Sequence, residues 1–405
     1  MNEKKMINAQ KQSKTDMSGL RFFGLFAIVL LSLTAVNAQK PAADNPDTYI
    51  YMLKNKKAGL TANHTSLSGK KHLLDVLLEN SIDVVKIYAP EHGFRGNAGA
   101  GETVNSSKDK KTGIPIVSLY GANKKPSVEQ LAGIDCMVFD MQDVGTRFYT
   151  YLSTMHLVME ACAENSIPLI VLDRPNPNGF YIDGPVLQPE CKSFVGMHKI
   201  PVVHGMTLGE LATMINSEKW LDGGKTCNLT VIPCEDYSHK SKYALPTPPS
   251  PNLPDMQSVY LYPTLCFFEG SPLSVGRGTD FPFKVVGHPD FKGKTGYGFS
   301  FVPKTKDGKI KPLLENQVCY GKDFRNVETD KISEINLDLI IEIYNDYPFK
   351  DKFFKPVFSK LAGNTVLQKQ IADKKSAGEI RKSWQKDLND FKTMRKKYLL
   401  YPDFY

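Results

Sequence analysis

Short apolar runs bounded by turn-forming residues recur through the first half of the chain. They predict strands at 57–62, 84–89, 114–119, 135–139, 168–172 and 229–232. Helical spacing lies between several of them. Residues 71–80 carry apolar side chains at 73, 74, 76, 77 and 78, and 126–131 and 151–165 read as further helices. Thr207 followed three residues later by Glu210 forms a capping box that opens a helix within 205–216. Strands that are apolar on both faces and alternate with helices predict an α/β fold with a parallel sheet built from βαβ units.

The pattern changes at 245–254, where five of ten residues are proline. Such a stretch is predicted to be extended and stiff. It is expected to lead from a first domain, 39–245, into a smaller α+β domain, 246–405. The second part predicts short strands up to residue 302, a helix at 337–345 and a charged helix over 377–397. Residues 39–50 read as a polar linker.

In a parallel sheet all carboxyl ends point the same way, and that edge is where open α/β sheets bind ligands. The residues following each predicted strand are rich in chemistry. Asn63 and His64 follow the first, and Glu91, His92, Phe94 and Arg95 follow the second. Tyr120 follows the third; Asp143, Arg147 and Tyr149 follow the fourth; Asp173, Arg174 and Asn176 follow the fifth. Their convergence on one edge predicts an active site there. The second domain adds Glu269 and Arg277 among rings and glycines.

The formal net charge is +8, with no dense basic block flanked by stacking aromatics, which argues against nucleic-acid binding. At the N-terminus, basic residues precede an apolar run from Phe22 to Val36, and Val36-Asn37-Ala38 supplies small residues at a cleavage site. This pattern predicts a secretory signal peptide over residues 1–38 and a periplasmic or secreted protein with no stable membrane span. The seven cysteines form no C-x-x-C pair, which disfavours a cysteine zinc site, and leave any disulfide pattern open.

No G-x-S-x-G elbow and no H-E-x-x-H motif is present, against an α/β-hydrolase or a zinc hydrolase. Gly96, Gly99 and Gly101 match a dinucleotide loop only loosely. No metal or cofactor is expected. Carboxylates among aromatic rings in an exported protein suit glycoside cleavage, in which a carboxylic acid protonates the leaving oxygen. Arginines suit an acidic substituent on the sugar. A non-catalytic peptidoglycan-binding surface protein, or an esterase or amidase acting on cell-wall substituents, are the alternatives.

Six motifs carry a resemblance across the mature chain: G-L-T-A-N-H-T at 59–65, P-E-H-G-F-R-G at 90–96, F-D-M-Q-D-V-G-T-R-F-Y-T-Y at 139–151, L-D-R-P-N-P-N-G at 172–179, H-G-M-T-L-G-E-L-A at 204–212 and, within 268–283, F-E-G followed by S-V-G-R-G-T-D-F-P-F. With them the chain resembles the NamZ-type exo-β-N-acetylmuramidases, peptidoglycan hexosaminidases once known only as a domain of unknown function. The resemblance implies a Rossmann-like domain, a smaller C-terminal domain and an active site between them. It implies release of N-acetylmuramic acid from the non-reducing end of peptidoglycan fragments, without nucleotide or metal. On this reading Glu91 is the general acid/base, with Asp143 or Glu102 as second carboxylate, or the substrate's own 2-acetamido group in that role. Arg147, Arg174 and Arg277 are candidates for the lactyl carboxylate, and Tyr149 and Phe94 for ring platforms. Asn63, His64, His92, Arg95, Asp173, Asn176 and Glu269 complete the expected substrate-binding set.

Overall fold

Six parallel strands form the frame on which the functional residues hang. The structure, a computed structural model, describes residues 39–91, 93–95, 107–306 and 311–405. In chain order the strands are β1 (Lys57–Ala62), the short pair β2 (Leu67–Ser68) and β3 (Lys71–His72), then β4 (Asp83–Ala89), β5 (Ser107–Lys108), β6 (Pro115–Ser118), β7 (Cys136–Asp140), β8 (Leu169–Leu172) and β9 (Leu229–Ile232). The main sheet runs β5-β6-β4-β1-β7-β8-β9, all parallel except the β5 edge. Its parallel strands thus follow the Rossmann order, extending outward from β1 in both directions.

Alternation along these strands feeds two cores. Leu60, Ile87, Val138 and Ile170 point to one face, with Leu74 and Leu77 of the Leu73–Glu79 helix. Tyr88, Met137, Phe139 and Val171 point to the other, against Met155 and Met159 of the Tyr151–Glu164 helix. Full burial on both faces explains why β7 and β8 read as continuous apolar runs. The capping box on Thr207 and Glu210 is present and opens the Leu208–Ser217 helix.

Three expectations need correction. Residues 39–50 are not a free linker: Ala42, Ala43, Tyr49 and Ile50 are buried in the first core, and Lys40 pairs with Glu235. The charged helix over 377–397 is two, Ala377–Ser383 and Gln385–Arg395, broken at Trp384. The proline-rich segment is not extended throughout. It turns at Pro251 and Asn252, bridged by Ser250 and Leu253.

The second half opens with the Met256–Leu265 helix, capped by Asp255 and Ser258. A three-stranded antiparallel sheet follows, made of β10 (Val285–His288), β11 (Phe299–Phe301) and β12 (Cys319–Asp323) in the order β10-β12-β11. Helices including Leu337–Asp346 complete it. All seven cysteines are buried and free. No helix among the described residues is long and apolar enough to cross a membrane.

Candidate active site

The strand order places β1 beside β7 while the chain leaves them toward opposite sides of the sheet. A crevice opens at their carboxyl ends. Asn63, just past β1, is buried; its Oδ1 accepts from the Thr65 N–H and hydroxyl at 2.8 and 2.6 Å, while its Nδ2 has no partner among the described residues. Glu91, two residues past β4, is half-buried and lines a cavity of about 190 Å³. Tyr120, beyond β6, donates its hydroxyl to Glu91, and burial together with that carboxylate raises the phenol above its ordinary range.

The walls of this cavity come from three more segments. Phe148, Tyr149 and Tyr151 lie at the start of the helix after β7. Tyr149 is held by its hydroxyl on the Pro249 carbonyl at 2.8 Å and packs edge-on against Tyr151. The turn of the proline-rich segment contributes Ser250, Asn252 and Leu253. From the second half come Tyr262, Phe283 and the pair Glu269–Arg277. That pair is bidentate, Nε to Oε1 at 2.5 Å and Nη2 to Oε2 at 3.0 Å, and it leaves Nη1 without a hydrogen bond among the described residues. Rings on one side and a fixed guanidinium on the other give the cavity both a stacking surface and an anion-binding edge.

Tyr151 is the residue the sequence reading missed. Its ring is buried and its hydroxyl has no partner of acceptable geometry among the described residues. Burial, then the nearby Glu91 charge, raises this phenol well above its usual range. In the sequence it reads as the first residue of an amphipathic helix, and nothing there marks it as different from a core tyrosine.

Among the expected residues, Glu91, Tyr149, Glu269 and Arg277 meet at the cavity. His64 does not line it; its Nε2 bonds to the Pro248 carbonyl at 2.9 Å. His92 and Glu102 lie outside the described residues. The others are engaged elsewhere. Arg147 is completely buried, and its guanidinium donates to the carbonyls of Pro185, Ile200 and Leu361 at 2.8–2.9 Å. Arg174 grips Asp140 bidentately at 2.5 and 2.8 Å and also reaches the Leu67 carbonyl. With their guanidiniums turned to these internal partners, and neither lining the cavity, Arg147 and Arg174 are corrected from lactyl-carboxylate candidates to structural anchors, although Arg147 Nε has no partner among the described residues. Asp173 accepts from Thr207, Tyr401, Gly209 N–H and Arg174 N–H, which makes it a loop organiser. Asn176 bridges to the Met206 carbonyl and the Asn178 N–H. Arg95 pairs with Asp109, and Phe94 is buried edge-on against His72.

Asp143 does not line this cavity. It is buried, its Oδ2 accepts the Gly145 N–H at 2.6 Å, and its Oδ1 is unpartnered among the described residues. Burial pushes its pKa up to about 7, against the pull of the Gly145 and Val144 N–H groups. Gly145 sits at φ +78°, and a Cβ there would fall 2.2 Å from Asn176 Oδ1, so only glycine fits this turn.

Comparison with known proteins identifies the family. The family model described as "Exo-beta-N-acetylmuramidase NamZ, N-terminal" matches residues 58–257, and its C-terminal counterpart matches 260–401. The "Peptidoglycan beta-N-acetylmuramidase NamZ" of Bacillus subtilis (strain 168) is 39% identical over 95% of this chain and 98% of its own. Crystal structures of two DUF1343 family proteins from Bacteroides fragilis NCTC 9343 superpose with TM-scores of 0.83 and 0.78, at 47% and 31% identity. Each superposition covers 90% of this chain and 99% of the other. With both halves matched in order and a full-length relative at this identity, the chain belongs to the NamZ exo-β-N-acetylmuramidase family.

Proposed function

We propose that this chain is an exo-acting glycoside hydrolase that removes N-acetylmuramic acid from the non-reducing end of peptidoglycan-derived saccharides, with Glu91 as its general acid/base. The observation that carries the assignment is the placement of Glu91. It stands at the end of β4, hydrogen-bonded by Tyr120, in a cavity walled by rings and facing Arg277.

The terminal sugar stacks on the ring wall of Tyr149 and Tyr262, and Nη1 of Arg277 receives the lactyl carboxylate. Glu91 protonates the glycosidic oxygen as the bond to the anomeric carbon breaks, then takes a proton from the incoming water. Two donors, Asn63 Nδ2 and the Tyr151 hydroxyl, are buried and have no partner of acceptable geometry among the described residues. They suit the carbonyl oxygen of the 2-acetamido group, whose orientation supports it as the group that stabilises the developing cation. Asp143 is not among the residues that line the cavity, and no step is assigned to it.

Export to the periplasm or beyond belongs to the same proposal. It is supported by the basic, apolar and small-residue sequence of the first 38 residues and by the location of peptidoglycan itself.

Glu91→Gln tests the assignment. Release of muramic acid from a chromogenic muramide should fall by roughly 10²- to 10⁴-fold, the usual worth of a general acid/base. The melting temperature should stay at the wild-type value. Near-normal turnover in a folded variant would overturn it.

A further inference from the structure

The segment 187–199 borders two cavities. Val195 lines the one described above. Lys192, Met197, His198 and Lys199 line a second, of about 230 Å³, together with Gln188 and Trp220. No step of the proposed reaction uses it.

Its floor is chemically specified. Glu160 is an acceptor only, so the bond of 2.9 Å from His156 Nε2 makes that nitrogen the donor. Burial keeps both His156 and His198 below the ordinary imidazole range, and each is neutral at pH 7. Nδ1 of His156 is therefore a lone pair, and the 2.9 Å contact from His198 Nε2 must be an N–H donating to it. The chain Glu160–His156–His198 thus fixes one tautomer at its end. His198 Nδ1 is left as a bare acceptor, buried and unpartnered among the described residues. Such an atom calls for a hydroxyl or N–H donor.

The rest of the cavity narrows the choice. The half-buried indole of Trp220 lies nearly parallel to the His198 ring at 5.8 Å and offers an apolar surface for a sugar. Lys192 and Lys199 are exposed and form no ion pair among the described residues, so two ammonium groups stand ready for an anion. We infer that this cavity is a second saccharide site, separate from the hydrolytic one, that takes a sugar bearing a carboxylate. The sugar hydroxyl donates to His198, the ring lies against Trp220 and the carboxylate meets the lysines. Naming N-acetylmuramic acid as that sugar rests on the proposed activity; the cavity's demand for a hydroxylated anion does not.

The chain has two tryptophans, and of these Trp220 lines the second cavity while Trp384 lines neither. Indole emission therefore reports on this site. Wild-type protein titrated with N-acetylmuramic acid should show a saturable change in emission, and N-acetylglucosamine, which lacks the carboxylate, should give a much weaker one. The change should vanish in Trp220→Phe. In Lys192→Ala/Lys199→Ala the apparent affinity should fall roughly tenfold, the scale of one charge-assisted hydrogen bond. Both variants sit away from Glu91 and should keep wild-type turnover of the muramide. An emission that does not respond to millimolar N-acetylmuramic acid overturns the second site. So does a response that survives in Trp220→Phe, or one indifferent to the lysines. Turnover measured on the same samples separates the two claims: active protein with silent emission removes the second site alone, and inactive wild-type protein removes the hydrolase reading.

Discussion

At Asp143 a carboxyl group is buried with one oxygen unpartnered among the described residues, and the folded chain therefore favours its protonated form. The folded pKa, about 7, lies above the unfolded one. The native state then holds a proton that the unfolded chain has released over the window between them. Stability is fully present below about pH 4 and falls by up to about 1.4 kcal/mol per pH unit as pH rises toward 7. Asp143→Asn removes that dependence. The variant should melt higher than wild type at pH 8 and close to it at pH 4, as thermal denaturation at the two pH values will show. Because Asp143 does not line the cavity, the variant should keep most of its turnover. At this scale the position of Glu91 was legible in the sequence, because a residue just past a buried parallel strand lies along the sheet's carboxyl edge. Tyr151 was not, since an orphaned hydroxyl is a fact of three-dimensional contacts. Arg147 misled for a related reason. The sequence shows a charge after a strand but not which way it turns.

Arg147 also ties separate elements together. Its guanidinium joins the loop at Pro185, the loop at Ile200 and the end of the Pro356–Ala362 helix, through three carbonyls that have no surface of their own. Gly363 follows that helix at φ +80°, and a Cβ there would meet the guanidinium at 2.3 Å. Arg147→Met fills similar volume but supplies no donor. The Ile200 carbonyl keeps the Leu187 N–H, but those of Pro185 and Leu361 are stranded, so the protein should be destabilised by about 2 kcal/mol or more, each stranded buried carbonyl costing about 1–3 kcal/mol. Urea unfolding measures this, and a loss under about 1 kcal/mol would show that water replaces the guanidinium. Elements of the sheet were well read because their apolar runs are short and bounded by turn-forming residues, too short for buried helices. The break at Trp384 was not legible, as helical spacing continues across it and only the packing of two short helices requires the bend. The early segment 39–50 looked polar, yet two alanines, a tyrosine and an isoleucine suffice to dock it on the sheet.

For the molecule as a whole, the cavity exists only where the two halves of the chain meet. Glu91, Tyr149 and Tyr151 come from the part matched by the N-terminal family model, and Tyr262, Glu269, Arg277 and Phe283 from the part matched by the C-terminal one. The sequence announced both groups of residues, and their meeting was an expectation that the family resemblance implied, not one the apolar pattern could supply. The proline-rich turn brings them together, with the carbonyls of Pro248 and Pro249 receiving His64 and Tyr149. Arg277 is fixed there from two directions, by the bidentate grip of Glu269 and by the face of Phe283 at 5.1 Å beneath its guanidinium. Its orientation is therefore set before substrate arrives, and the proposed contact with the lactyl carboxylate costs little ordering. Lysine at this position keeps the charge but loses the planar fork, so it can answer either Glu269 or the substrate. Arg277→Lys should raise KM for the muramide roughly tenfold, about the energy of one charge-assisted hydrogen bond, with a smaller change in kcat. The same substitution should leave KM for a chromogenic N-acetylglucosaminide, if turned over at all, unchanged. An equal loss on both substrates would place Arg277 in the framework of the cavity and take the lactyl contact away from it.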